Sequence, residues 1–154
     1  MERIQRTIGE VLGQKSWPEL PPGATVAAAQ EAMARVAVDC VLVVEEGVLK
    51  GVFTSRDFMN RVAAAGRLPA EVPLGDVMTS QPETLKRHHC VTYAINRMAT
   101  RNIRNLPVVD DHGRPVGLLQ IWDVMTHMAD IFEEISRLPP ERPTDNIWQD
   151  LGGG

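Results

Sequence analysis

Gly51-Val52-Phe53-Thr54-Ser55-Arg56-Asp57 is written again, 66 residues further on, as Gly117-Leu118-Leu119-Gln120-Ile121-Trp122-Asp123. Working outward, the same offset pairs Gly9 with Gly75, Val11 with Val77, Val43 with Val109, Gly47 with Gly113 and Met59 with Met125. A shift of one residue pairs Val26 with Val91, Ala29 with Ala94 and Met33 with Met98. An internal repeat outranks local signals, and a solenoid needs about three or more units to stack a core. Two copies predict a pair related by a pseudo-twofold axis, each covering the other's apolar face.

Each copy reads in the same order. Pro18, Pro21, Pro22 and Gly23 mark an irregular lead-in, after which Val26, Ala29, Met33 and Val36 recur at helical spacing. Val41 to Val44 form a short β-branched run, Glu45-Glu46-Gly47 a turn, and Val48 to Phe53 a returning strand. A helix with Phe58, Met59 and Val62 as its apolar face follows, ended by Gly66. In the second copy Val91, Ala94 or Ile95, and Met98 mark the helix, Pro107 to Asp110 and Pro115 to Leu119 the hairpin. The last helix carries Val124, Met128, Ile131, Ile135 and Leu138 at helical spacing until Pro139 and Pro140 stop it. The expected boundaries are 7–66 and 72–131 for the repeats, 132–138 for a helix extension, and 139–154 for a polar tail. Trp148 in that tail reads either as an incidental aromatic or as an anchor onto a partner.

The bulk numbers narrow the class. At 154 residues, 44% apolar and 23% charged, this is an ordinary globular composition. A net charge of −4 argues against nucleic acid, where affinity comes mainly from Lys and Arg on phosphates. No run approaches the roughly 18 apolar residues of a membrane span, and Arg3 and Arg6 have no apolar stretch behind them to make a signal peptide. Cys40 and Cys90 are too few for a disulfide framework, which leaves the cytoplasm as the default location.

The repeated motif has two chemical readings. A carboxylate accepts two hydrogen bonds at once, matching the neighbouring hydroxyls of a ribose. Thr54 offers a hydroxyl at a strand-to-helix junction, where unpaired N–H groups favour an anion such as phosphate. Thr54-Ser55-Arg56-Asp57 equally fits a capping box that satisfies the helix start, with Asp in place of the usual Glu or Gln. Spacing alone does not choose between them.

With these motifs in register twice, together with Leu106-Pro107-Val108-Val109-Asp110 and the β-α-β-β-α order, the chain resembles tandem CBS-domain proteins over about residues 7–131. The resemblance implies an α/β fold of two β-α-β-β-α repeats packed as a pseudo-twofold pair. It implies a regulatory module that binds an adenosine-containing ligand (AMP, ADP, ATP, S-adenosylmethionine or NAD(H)) between the repeats. Asp57 would hold the ribose and Thr54 would lie near phosphate.

The ligand-binding residues expected on this reading are Thr54, Asp57, Arg56, Asp39, Cys40, Arg104, Asp123 and Gln120. Gln120 stands where the first copy has Thr54, and bulky Trp122 where it has Arg56, so the first cleft is the expected working site. Arg104 and Asn105 are aligned with Val38 and Asp39, which predicts that a phosphate over Thr54 meets Arg104 and one over Gln120 meets Asp39. The rival reading is a dimerisation or protein-interaction module without ligand. No nucleophile, base and orienting acid stand together, so no catalytic residue is expected. His88-His89-Cys90 is adjacent in sequence and lacks a second cluster, so no metal is expected either. The partners expected are a second copy of the chain, making a homodimer through the long apolar helix, and an unidentified regulated protein. That helix could instead pack on the chain's own Ile8 to Leu12.

Overall fold

The structure, a computed structural model, describes residues 6–137 apart from residue 14, so Leu138, Trp148 and the 139–154 tail lie outside the described residues. A short helix α1 (Ile8–Val11) leads to strand β1 (Glu19–Leu20). Helix α2 (Val26–Val36) starts where Thr25 Oγ1 accepts from Ala28 N at 3.2 Å, and it ends at Ala37, left-handed with φ 56°. It buries Val26, Ala29 and Met33, as the periodicity predicts. Strands β2 (Cys40–Glu45) and β3 (Val48–Thr54) form the expected hairpin. β3 runs into a single turn α3 (Ser55–Asp57) and a π-helix, Phe58–Ala63, after which Arg67 N bonds Val62 O around Gly66. Of its expected apolar face, Val62 is fully buried, but Met59 is 60% exposed.

The second half repeats this with α4 (Leu74–Val77), β4 (Thr79–Ser80), α5 (Val91–Arg101), β5 (Asn105–Val109), β6 (Pro115–Gln120) and α6 (Ile121–Arg137). Four strands pair in the order β1-β2-β3-β4, and β5 pairs with β6. The two-residue strands β1 and β4 are too short to show any periodicity in the sequence. Among the described residues no helix is long and apolar enough to cross a membrane.

The register corrects one alignment. Cys40 faces Thr54 across the first hairpin, and Asn105 faces Gln120 across the second. Ser55 N bonds Asp39 O, and Ile121 N bonds Arg104 O. Asn105 is therefore the counterpart of Cys40, Arg104 of Asp39, and Val108, not Val109, of Val43. The one-residue shift seen between the helices persists through the strand and is absorbed in the longer turn after Val109.

Strand alternation divides the core. Val41 and Val43 face α2 and the π-helix, whereas Cys40 and Leu42 face the other sheet, where Leu118 meets them. The counterpart cluster holds Leu106, Val108, Leu119 and Val124. Each half also receives a helix from the other side of the chain. Leu74 and Val77 of α4 complete the first core, and Ile8 of α1 completes the second. The α6 stripe splits accordingly. Val124 and Met128 pack against the cluster containing Ile8, while Ile135 is 51% exposed.

Gly51 lies under the returning segment, where a Cβ would stand 2.8 Å from Thr79 O. The glycine serves close backbone approach, whereas its counterpart Gly117 makes room for the Leu12 side chain. Gly51→Ala should cost about 1–3 kcal/mol by overpacking, or roughly 2–4 °C of melting temperature per kcal/mol. Gly23→Ala, with nothing within 4 Å, should melt much closer to wild type.

Candidate functional site

Thr54, at the end of β3, and Asp57 form the capping box that the spacing allowed. Asp57 Oδ2 accepts from Thr54 N at 3.0 Å and from Thr54 Oγ1 at 3.1 Å, while Thr54 Oγ1 accepts from Asp57 N at 3.3 Å. Asp57 Oδ1 accepts from Thr79 Oγ1 at 3.3 Å and lies 3.6 Å from Arg61 Nη1. Asp57 is only 8% exposed, yet it borders an open cleft. Capping and cleft-lining are therefore properties of the same side chain.

That cleft encloses ≈ 250 Å³. Thr54, Ser55, Arg56 and Asp57 line it from the first half, and Asn102, Ile103, Arg104 and Asn105 from the second. Arg56 Nη1 donates to Asn102 O at 2.9 Å, tying the two walls together. Thr79, Pro82 and Glu83 close a third side, with Glu83 paired to Arg97. Asp39 lines this same cleft, a correction to the expectation that it faces Gln120 across the second. Its carboxylate instead accepts from Asn105 Nδ2 at 3.1 Å.

Cys40 is a second correction, because its side chain is 0% exposed and packs with Leu42, Val52 and Leu118. Burial above all pushes its thiol pKa well up, with the nearby Asp39 and Asp57 charges adding to the shift. Cys90 is exposed, and His89 Nδ1 is occupied by accepting from Lys86 N at 3.2 Å.

The second half is built differently. Asp123 Oδ2 accepts from Gln120 N at 2.9 Å, and its other oxygen is ion-paired with Lys15. Gln120 borders a cavity of ≈ 410 Å³ with Lys15, Trp17, Val38 and Leu118. Asp123 borders another of ≈ 290 Å³ with Arg6, Glu10, Lys15 and His127. Lys15 lines both, and its ion pair occupies the Asp123 oxygen that Gln120 leaves free.

Sequence reasoning missed Thr79, Asn105 and Lys15. The counterpart of Thr79 at the repeat offset is Gly13, so the internal repeat carried no signal for it. Asn105 was misaligned by the single residue that the hairpin turn absorbs.

Two β-α-β-β-α repeats that each supply a wall of one cleft define a tandem-repeat α/β module. The family model described as CBS domain matches residues 9–64 and 74–130, and the chain belongs to that family. The meiotically up-regulated gene 70 protein of Schizosaccharomyces pombe is 39% identical over 110 residues, 71% of this chain and 15% of that protein. The CBS domain-containing protein YhcV of Bacillus subtilis is 34% identical over 103 residues, 67% of this chain and 72% of that protein. The solved CBS domain protein PAE2072 from Pyrobaculum aerophilum, complexed with AMP, matches with a TM-score of 0.72 and 26% identity over 84% of this chain and 98% of that one. The chain spans between 15% and 54% of the length of three curated relatives that it matches.

A thiol reagent near pH 8 should modify Cys90 in the native protein and leave Cys40 untouched, with both reacting in denaturant. Rapid native labelling of both would show that the Cys40 side chain is accessible.

Proposed function

We propose that this chain, with repeats at 7–66 and 72–131, is a regulatory module that binds an adenine nucleotide in the cleft between them. The observation that carries the reading is the convergence of Thr54, Arg56 and Asp57 with Arg104 on one cavity. Asp57 brings a carboxylate of the kind that takes a pair of ribose hydroxyls, and Arg56 and Arg104 bring two guanidinium groups of the kind that hold a phosphate. The AMP carried by the 26%-identical Pyrobaculum protein supports the ligand class. On this reading no chemistry is performed. The output is a change of shape or association sensed by another protein.

A second reading, an interaction module without ligand, draws on the Asp57 network. Both carboxylate oxygens already accept hydrogen bonds from Thr54 and Thr79, so a ribose must displace or share them.

AMP at 100 times its dissociation constant should add about 2.7 kcal/mol of stability, roughly 5–11 °C in melting temperature. Asp57→Ala should lose that shift and also lower the ligand-free melt through the lost cap, about 1 kcal/mol. Arg104→Ala should weaken AMP far more than adenosine. No shift of the wild-type melt by AMP, ATP, S-adenosylmethionine or NAD(H) would leave the interaction-module reading in its place.

We also propose a homodimer. Trp122, Met125, Phe132 and Ile135 on α6 are 69%, 53%, 60% and 51% exposed, and Met59 is 60% exposed on the π-helix. These are large apolar side chains left in water, four of them on one helix, and a second copy of the chain would cover them. Light scattering at micromolar protein should give twice the chain mass, and Phe132→Asp should lower it to one chain. Removing 139–154 tests whether Trp148 contributes.

A further inference from the structure

Asp39 and Arg104 occupy equivalent places in the two repeats and carry opposite charges, yet both line the first cleft. Arg104 has no ion pair or hydrogen bond from its guanidinium among the described residues, and Asp39 is not paired with it. What holds Asp39 there is Asn105. This residue is 7% exposed, at the position where the first repeat has fully buried Cys40. Its Nδ2 donates to Asp39 Oδ1 at 3.1 Å, and its Oδ1 accepts from Gln120 Nε2 at 3.3 Å. The amide orientation follows from its neighbours, because a carboxylate only accepts and the Gln120 amide nitrogen only donates. The backbone binds Asp39 as well, since its carbonyl accepts from Ser55 N at 3.1 Å, beside Thr54. The symmetry-related pair is Cys40 with Arg104, which has no carboxylate to fix.

We propose that Asp39, positioned by Asn105, is a specificity-determining residue that sets how many phosphates the first cleft tolerates, disfavouring a triphosphate relative to a monophosphate. The inference rests on the reading that this cleft takes an adenine nucleotide. With Asp57 committed to the ribose and Glu83 paired to Arg97, the charged groups left on the cleft lining are Arg56 and Arg104 against Asp39. Two cations and one anion suit a phosphate of about −2, and every further negative charge meets the Asp39 carboxylate. In water, a unit charge roughly 6 Å from a carboxylate is opposed by about threefold in affinity, so the two additional charges of a triphosphate amount to roughly tenfold.

Titration calorimetry of the full chain with magnesium-free AMP and ATP at one ionic strength tests this. Magnesium is left out because it would mask the phosphate charge. Asp39→Asn should tighten ATP relative to AMP by about tenfold, and added salt should shrink that change. Asn105→Ala should move the ratio the same way by a smaller factor, whereas Asp39→Glu should keep the wild-type ratio. A purely structural role for Asn105 would weaken both ligands alike and leave the ratio unmoved, which would overturn its positioning role. If both nucleotides bind and the ratio in Asp39→Asn stays within twofold of wild type, the charge rule is wrong while the nucleotide site stands. If neither nucleotide binds the wild type, the underlying reading fails and the charge rule fails with it.

Discussion

The backbone amides of Leu74 and Gly75 donate to the carbonyls of Ala24 and Pro22, and those of Ile8 and Gly9 donate to His89 and Arg87, all at 2.8 Å. These bonds satisfy helix-start donors that would otherwise stay unpaired. They also dock the leading helix of each repeat beside the first helix of the other. Ile8 and Leu74, both 0% exposed, then fill the two cores. Neither half buries its apolar surface without the segment supplied across the pair, so the two repeats are bound into one folding unit. The approach brings β4 alongside β3 and carries Thr79 to Asp57.

The first cleft follows from that docking. One wall is the end of β3 and the turn after it, and the other is the start of β5. The linker after β4 closes the third side. Asp57 illustrates how structure and candidate function share one side chain. The hydrogen bonds that cap the turn hold its carboxylate still, and a carboxylate held still loses less conformational freedom on binding. The same commitment sets the competition that any ligand has to win.

Pseudo-symmetry fails first in the polar side chains. Position by position, Thr54 becomes Gln120, Cys40 becomes Asn105 and Asp39 becomes Arg104, while the backbone bonds around them are kept. The cation beside the motif carboxylate differs as well, Arg61 from the following helix at Asp57 and Lys15 from a remote segment at Asp123. One backbone plan thus produces two clefts with different electrostatics. The ladders and helix caps depend on main-chain geometry, whereas the cleft walls depend on which side chain each copy carries.

The duplicated Gly-to-Asp stretch, the helical spacing of Val26, Ala29 and Met33, and the hairpin runs were enough for the sequence alone to determine the α/β repeat pair. Periodicity and turn chemistry act over a few residues, so they survive in one dimension. The roles of Thr54 and Asp57 were half legible, since a capping box and a ribose site share one spacing. Tertiary structure alone decided the rest. Cys40 went into the core because strand alternation turned it toward the opposite sheet, and Asp39 lines one cleft with Arg104, hydrogen-bonded by Asn105 of the other repeat. Thr79 and Lys15 reached their partners over 22 and 108 residues of chain. Contacts at that separation depend on how two cores dock, and no local pattern encodes the docking.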